Sequence, residues 1–348
     1  MAITRSTSNG YKLVDWTDEI NNIDNQFGLI NGMNLFQTQG TSQTAIIFDK
    51  NVAETTLLPQ VSRREGNSTK GIDRKSSIFS LPLAYFKHSD SIVPEDLQGW
   101  RQPGTPEAAE QFARVRAQKL ADMRAQVDQS LEYMKLQAVK GVMKTPDGAV
   151  IADMFTEFGV TQQTIDFVLG TSTTDIDKKI SQLKRYLQTN LKTGAAIQGK
   201  PVVIVDGSFF DKLISHPNIR QAYLYYQNSG AQRLRDETNS MMTWGSVDQF
   251  EHRGVIFMTY DATFKLPNGT TEAAIATDTG HVIPNVNGLF RGYFGPSNKL
   301  SGVNQVGREM FAYEYPDERD EQHEMQVETS PLFFVTQPQV LVKLTTSN

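Results

Sequence analysis

The amino-acid sequence predicts an α+β fold built around one long helix, with a long β-hairpin before it and short strands and helices after it. Over residues 106–142 the apolar side chains lie three or four, and once five, residues apart, which keeps one face of a helix apolar for about ten turns. Thr105 provides an N-cap and Pro106 a first helical residue. At 1.5 Å per residue the helix would be roughly 55 Å long, much longer than the average globular helix.

The β-hairpin is predicted over residues 44–85. Its returning strand places Phe79, Leu81 and Leu83 on one face and polar residues or proline on the other. Because an isolated two-stranded hairpin is only marginally stable in water, we expect this one to lie against a second domain or a neighbouring subunit. Residues 1–43 are polar and rich in Gly and Asn. We expect them to form an extended arm that docks on another surface, since they cannot form a core of their own.

The rest of the chain is predicted to alternate short helices with short strands. Thr174 or Asp175 caps a second helix that ends near Leu191, and Asp206 begins a helix that follows a wholly apolar strand. A further helix is expected from Pro217. The strands are predicted at residues 149–151, 165–169, 202–205, 255–259, 273–277 and 340–344.

Composition excludes several classes of function. The chain of 348 residues contains no cysteine, so a disulfide framework, a thiolate metal site and a cysteine nucleophile are all excluded. No apolar run approaches the roughly 20 residues that span a bilayer. Residues 1–10 lack the apolar segment of a secretory signal. We therefore expect neither secretion by a signal peptide nor a membrane partner.

The net charge of −5 is unevenly distributed along the chain. Residues 314–328 contain seven acidic residues and one basic residue, a net −6, and we expect them to form an acidic surface that faces solvent or a partner. The predicted hairpin tip is basic, since residues 62–75 contain five basic and two acidic residues, a net +3. This charge is far below that of a surface that reads nucleic acid, so tight sequence-specific DNA binding is disfavoured.

The sequence shows no convincing pattern of a catalytic, cofactor or metal site. The segment 194–201 is similar to a phosphate-binding loop, but it has Pro201 where a Mg²⁺-binding Ser or Thr is required and a strand where a helix should begin. The five histidines show no zinc-binding spacing, and the acidic run lacks the alternating ligands and central glycine of a calcium loop. We therefore predict a protein that is not an enzyme, with no catalytic residues, no cofactor and no metal.

Seven short motifs occur in order along most of the chain. They are Pro94-Glu95-Asp96-Leu97-Gln98 before the long helix; Glu132, Ala138 and Gly141 late in it; Asp147-Gly148 and Phe155-x-x-Phe158-Gly159 after it; then Phe250-x-x-Arg253-Gly254-Val255-x-Phe257-x-x-Tyr260, Tyr293-Phe294-Gly295-Pro296, and Glu328-x-Ser330-Pro331-Leu332 with Pro338 beyond it. Each is weak alone. In this order, over residues 92–345, they resemble the lambda-type family of tailed-phage major capsid proteins, capsid protein E. Before residue 90 the similarity lies in the layout of arm, hairpin and helix.

The resemblance implies the Hong Kong 97-type capsid fold. It assigns residues 1–43 to an N-terminal arm, 44–90 to the extended loop (E-loop), 91–199 to a peripheral domain with its spine helix at 106–142, 200–325 to an axial domain at the capsomer centres, and 326–348 to a return to the peripheral domain. The implied function is that of the major capsid protein of a tailed double-stranded DNA phage. It would assemble into the hexamers and pentamers of an icosahedral shell in the host cytoplasm and remain in the virion.

The resemblance also implies partners. The chain would contact copies of itself, a portal protein at one vertex, packaged double-stranded DNA without sequence specificity and, where present, a decoration protein. Only about 43 residues precede the hairpin, so we expect a separate scaffold protein instead of a fused scaffolding domain. For contact between subunits we predict that the basic hairpin tip meets an acidic surface on a neighbour. The tip residues are Arg63, Arg64, Lys70, Arg74 and Lys75, and the acidic residues are Glu314, Asp317, Glu318, Asp320 and Glu321.

Two other functions stay open at this point. An encapsulin-like nanocompartment shell would share the fold but enclose enzymes instead of DNA, and its genomic neighbours would distinguish it. A soluble α/β enzyme that uses the region after residue 200 would be a monomer or small oligomer with a deep polar pocket. The enzyme is disfavoured because it would leave the arm and the hairpin without partners.

Overall fold

Helices and short strands alternate along the computed structural model, which describes residues 3–6, 12–22, 28–53, 74–97, 108–191, 199–220, 224, 247–318 and 321–347. The helices are α1 (Thr17–Asn21), α2 (Leu29–Gly32), α3 (Pro94–Leu97), α4 (Ala108–Val139), α5 (Met154–Phe158), α6 (Ile176–Asn190) and α7 (Gly207–Ser215). The strands of the first half are β1 (Ile3–Ser6), β2 (Lys12–Asp15), β3 (Gln37–Gly40), β4 (Ala45–Ala53), β5 (Arg74–Pro82), β6 (Phe86–Ile92), β7 (Val142–Lys144), β8 (Val150–Asp153) and β9 (Gln163–Asp166). Those of the second half are β10 (Val202–Val205), β11 (Gln249–His252), β12 (Val255–Thr259), β13 (Thr263–Lys265), β14 (Thr271–Ala273), β15 (Thr279–Ile283), β16 (Phe290–Phe294), β17 (Phe311–Pro316), β18 (His323–Thr329), β19 (Pro331–Val335) and β20 (Val342–Thr345).

The predicted long helix is α4, which covers 32 residues. The side chains that the spacing placed on its apolar face are buried from Leu120 to Ala138. The helix ends at Val139, three residues before the predicted end, and Val142 begins β7. Near the end of the helix, residues off that face are buried as well, because Tyr133 packs on Phe264 of β13 while α4 also contacts β19 and β7. Gly141 follows the helix with φ +90°, and a Cβ at this position would overlap the ring of Phe155. The helix therefore ends where only glycine fits.

The strands form three sheets of three or more strands and three separate hairpins. The sheet orders are β1-β2-β17-β18-β6, β11-β12-β10-β15-β20-β9 and β19-β16-β3, and the hairpins are β4-β5, β7-β8 and β13-β14. The six-stranded sheet takes β9 from before residue 199, β10, β11, β12 and β15 from after residue 200, and β20 from after residue 326. The predicted domain boundaries at 199/200 and 325/326 therefore do not coincide with breaks between sheets.

The N-terminal segment is built into its own chain. Strand β2 pairs with β17, and β3 runs parallel to β16. Ile20, Leu29, Ile30 and Phe36 are buried in the main core. For the described part of the segment, the expectation of an extended arm is therefore wrong. The segment docks as predicted, but it docks on the same subunit and forms the short helices α1 and α2.

The predicted hairpin is formed by β4 and β5, which pair in antiparallel register over all nine residues of each strand. Its base packs on the same chain. The ring centroids of Phe48 and Phe334 are 4.4 Å apart, and those of Phe79 and Phe158 are 5.7 Å apart. The base therefore packs on another part of its own chain, which is the first of the two surfaces expected from the sequence. The tip, residues 63–73, lies outside the described residues.

Most of the shorter elements agree with the sequence to within a few residues. Asp175 and Asp206 cap α6 and α7 as predicted, because their carboxylates accept hydrogen bonds from backbone N–H groups of the first helical turn. Helical residues 217–220 follow α7. The strand predicted at 273–277 lies instead at 271–273, because the preceding turn pairs Lys265 directly with Thr271.

A histidine lies within the six-stranded sheet. His281 on β15 is 8% exposed, and burial, together with the charges of Lys140 and Lys343, lowers its pKa to about 3. The ordinary pKa of histidine is 6.5. The folded chain therefore keeps this imidazole neutral at pH values at which the unfolded chain protonates it.

We predict that His281→Gln makes the stability of the isolated chain less sensitive to acid. As pH falls from 6.5 towards 3, only the unfolded chain binds a proton at this position, so the free energy of unfolding falls by up to about 1.4 kcal/mol per pH unit. Urea unfolding between pH 7 and pH 5 should give a shallower pH dependence for His281→Gln than for the wild type. His88→Gln, on the half-buried β6, is the control, and equal slopes for His281→Gln and the wild type would contradict the account.

Candidate functional site

A buried carboxylate on α4 joins three separate parts of the chain. Glu132 is fully buried. Its Oε1 accepts hydrogen bonds from the backbone N–H of Ile30 (2.7 Å) and from the hydroxyl of Tyr260 (2.8 Å), and its Oε2 accepts one from the backbone N–H of Asn31 (2.7 Å). Gly28 precedes α2 with φ +95°, and a Cβ there would overlap the Glu132 carboxyl group. Helices α2 and α4 and the end of β12 therefore meet at one side chain.

Glu132 supplies the N-terminal cap that α2 does not have in its own sequence. The first turn of a helix leaves backbone N–H groups without partners inside the helix, and the glycine before α2 has no side chain to accept from them. Burial raises the pKa of Glu132, although its hydrogen bonds from Ile30, Tyr260 and Asn31 oppose the shift. Burial also raises the pKa of the Tyr260 phenol, which therefore stays a donor. Both carboxylate oxygens have partners, as a buried acidic group requires.

Two carboxylates of the predicted acidic surface are buried. Glu314 on β17 is 3% exposed. Its oxygens accept from the indole N–H of Trp16 (2.7 Å) and contact Nδ1 of His323 (2.8 Å), with the guanidinium of Arg116 3.8 Å away. Glu328 on β18 is 1% exposed. For these two residues the expectation of a solvated surface is wrong, because each is buried and has partners from other segments, although they lie on opposite faces of the sheet.

Of the other predicted acidic residues, Glu324 is exposed on β18, and the rest belong to the segment between β17 and β18. Asp317 is half-buried, Glu318 and Glu321 are exposed, and Asp320 lies outside the described residues. A backbone hydrogen bond of 3.0 Å closes this turn. Residues 317–322 contain four acidic residues and one basic residue, a net −3. The acidic surface is therefore concentrated in one short turn.

The basic tip is described only at its edge. Arg63, Arg64 and Lys70 lie outside the described residues. Arg74 and Lys75 are the first residues of β5, at the end of the described hairpin furthest from its base. The predicted contact between the tip and the acidic turn of a neighbour stays a prediction.

Comparison with known proteins shows the family to which this chain belongs. The sequence profile of the family described as phage major capsid protein E matches residues 12–346. The chain belongs to the phage major capsid protein E family. The major capsid protein of Salmonella phage Felix O1 is 33% identical over 98% of this chain and 97% of its own length. The predicted function, that of a major capsid protein of a tailed phage, is confirmed.

Solved structures show that the fold is the Hong Kong 97-type capsid fold. A prophage protein of Escherichia coli CFT073, assigned as its capsid protein, superposes with a TM-score of 0.62 at 14% identity, over 100% of both chains. A chain of the mature capsid of bacteriophage PhiM1 superposes with a TM-score of 0.51 at 12% identity, over 94% of this chain and 90% of its own. The predicted α+β class and capsid fold are confirmed.

Several motif residues of the capsid family have structural roles at turns. Arg253 (φ +50°) and Gly254 (φ +76°) form the two-residue turn between β11 and β12, a left-handed pair typical of tight hairpins. The Arg253 guanidinium lies 3.1 Å from the carboxylate of Asp177, and its carbonyl accepts from the ammonium of Lys184 (2.9 Å). These contacts hold the turn on α6. Glu132 and Tyr260 each belong to one of the family motifs. The motifs therefore marked both residues, but they did not reveal the hydrogen bond between them.

The described residues contain no sign of a metal centre or a membrane span. Within the described residues, no three His, Asp or Glu side chains are grouped so that they could hold a metal ion. Among the described helices of this capsid protein, none is both long and apolar enough to cross a membrane. Membership of a structural capsid family also favours a role without catalysis.

We predict that Glu132→Gln destabilises the unassembled subunit by about 3 kcal/mol, since an amide N–H₂ would face hydrogen-bond donors and a bond to a charged acceptor contributes about 1.5–3 kcal/mol. Tyr260→Phe should cost only about 1 kcal/mol, because both backbone N–H groups keep the carboxylate. Urea unfolding at pH 7 measures both. Losses below about 1 kcal/mol for Glu132→Gln would show that the three hydrogen bonds do not hold these segments together.

Proposed function

We propose that the outer half of the hairpin lies on a neighbouring subunit and so joins shell subunits into hexamers and pentamers. Two observations support this. The aromatic contacts of Phe48 and Phe79 fix the part of the hairpin nearest its base, and strand pairing continues outward to Ala53 and Arg74. Among the described strands, no other strand pairs with β4 or β5. A two-stranded ribbon that leaves its own core needs support from another surface, and a neighbouring copy supplies it.

This contact is heterologous, because a hairpin on one copy meets a different surface on the next. Contacts of that kind close into rings when the rotation between copies is suitable, which is the geometry of a capsomer. Ile47, on the outward side of the hairpin base, is 64% exposed. Burial of this side chain against a neighbour would add apolar contact beside the base.

Charge complementarity orients the tip. The tip segment 62–75 carries a net +3 and the acidic turn 317–322 a net −3. Each exposed ion pair contributes only about 0–1 kcal/mol, so the tip sets orientation and association rate more than affinity. The turn supplies this charge through Glu318 and Glu321, which are exposed, whereas the buried Glu314 is already used inside the subunit.

The other proposed partners follow from the shell role. They are a portal protein at one vertex, a separate scaffold protein during assembly in the host cytoplasm, a decoration protein where present, and packaged DNA contacted without sequence specificity. The modest net charge of −5 supports the last of these, since a container must hold DNA without binding it tightly. In this arrangement residues 200–325 would lie at the capsomer centres.

We predict that the double charge reversal Arg63→Glu, Arg64→Glu reduces shell yield about tenfold or more, as the loss of about 1.4 kcal/mol from each contact would do. The reciprocal change Glu318→Arg, Glu321→Arg should restore shells when combined with it. Yield is measured by sedimentation and negative-stain electron microscopy of the chain co-expressed with its scaffold gene.

The matched control for this charge reversal is Lys178→Glu, Arg185→Glu, which reverses two exposed charges on α6. This control should leave the shell yield unchanged. Wild-type yield from the hairpin variant, or no recovery in the combined variant, would reject the tip-to-turn contact.

A further inference from the structure

The loop between β16 and β17 displays three aliphatic side chains to solvent. Leu300 is 95% exposed, Val303 62% and Val306 66%. Residues 300–307 contain no charged side chain. Single exposed apolar residues are ordinary on protein surfaces, but three in one short uncharged loop mark a surface that another molecule covers.

The first half of this loop is held by a buried carboxylate. Glu328 accepts hydrogen bonds from the backbone N–H of Asn298 (3.0 Å) and from the hydroxyl of Ser297 (3.3 Å), and it pairs with the ammonium of Lys299 (3.0 Å). Tyr313 donates to the same serine hydroxyl (2.8 Å). Lys299, the cation directly before Leu300, is therefore neutralised from inside the subunit.

The second half of the loop is a defined turn. A backbone hydrogen bond from Gln305 (3.1 Å) closes it, with Val303 at φ −60° and ψ +130° and Asn304 at φ +62°. These are the angles of a type II turn, whose third position favours Gly or Asn. Gly307 then donates to the carbonyl of Thr41 (2.9 Å), which ties the loop to the N-terminal segment.

A loop that is fixed in this way presents its apolar side chains in one arrangement before any partner arrives. Fixing the loop beforehand lowers the entropy cost of association. The absence of charge on residues 300–307 also matches the core of a stable protein interface, from which charged residues are depleted. A partner with an apolar, uncharged surface would fit this loop best.

The loop adjoins the base of the hairpin. Gly295, just before it, packs so closely against Leu83 that a Cβ would lie 2.8 Å from that side chain. Tyr85, which is 43% exposed, interacts with Asn298 and Glu328. The apolar loop is therefore continuous with the base of the hairpin, where Ile47 is also exposed.

We propose that residues 300–306 dock on a second copy of this chain in the assembled shell. The inference rests on the shell role of the chain and on the continuity of the loop with the hairpin. The second copy also offers matching apolar surface, since Ile47 is 64% and Val150 58% exposed in the described part of the chain. The contact is distinct from the charged contact proposed for the hairpin tip, because it buries aliphatic side chains.

Thiol protection tests the location of this contact directly. The chain has no cysteine, so Leu300→Cys introduces a single thiol. Shells purified from this variant, freed of scaffold and containing no other viral protein, are treated with a maleimide polymer and compared with unassembled subunits. We expect modification at least about tenfold slower in shells, which corresponds to a contact that opens less than one tenth of the time.

One control and two outcomes that would overturn the proposal complete this test. Leu332→Cys, at a side chain fully buried within the subunit, should react slowly in both samples. Equal rates at position 300 in shells and subunits would overturn the proposal while leaving the shell function intact. Protection that appears only in complete phage particles would also overturn it, since another viral protein would then cover the loop.

A second experiment separates assembly from folding. Leu300→Asp combined with Val306→Asp should reduce shell yield at least about tenfold, while Leu300→Met combined with Val306→Ile should keep it. Urea unfolding of the unassembled subunits should be unchanged in both variants, because these side chains are exposed there. Normal shells from the aspartate variant would overturn the proposal.

Discussion

The carboxylate of Glu132 lies where the N-terminal segment, the long helix and the six-stranded sheet meet, and it accepts hydrogen bonds from the first and last of these. A fully buried carboxylate is costly unless its partners remain in place. The three segments therefore cannot move apart without exposing or orphaning this group. Gly28 belongs to the same constraint, because only a residue without a side chain leaves room for the carboxyl group.

Two more buried carboxylates also hold separate segments together, and these segments lie near the subunit surface. Glu314 holds Trp16 of the N-terminal segment against β17, and Glu328 holds the apolar loop that begins at Ser297. Internal acidic groups thus fix the positions of surface segments, which we propose contact other copies. In this proposal the acidic turn supplies charged contacts, and the hairpin base and the apolar loop supply uncharged ones. Such a division suits a subunit that must meet several neighbours without changing its core.

The parts of this fold that depend on local sequence could be predicted, and the parts that depend on distant partners could not. The long helix followed from its apolar spacing, the hairpin from alternation, and the caps Asp175 and Asp206 from residue type. Burial of Glu314 depends on Trp16, which is 298 residues away in the chain, so a run of acidic residues gave the wrong expectation. The N-terminal segment has too few apolar residues to indicate where it docks. The family motifs marked Glu132 and Tyr260, but only the structure shows that they are bonded to each other.

Amide hydrogen exchange, compared between unassembled subunits and purified shells, tests the central claim that a body fixed by Glu132 uses its surface segments for assembly. The account predicts that the amides of Ile30 and Asn31 are protected in both states, because the carboxylate holds them within the subunit. It predicts that the hairpin and residues 300–306 gain protection only in shells. Rapid exchange at Ile30 and Asn31 in the subunit, or no gain at the hairpin and the loop in shells, would contradict it.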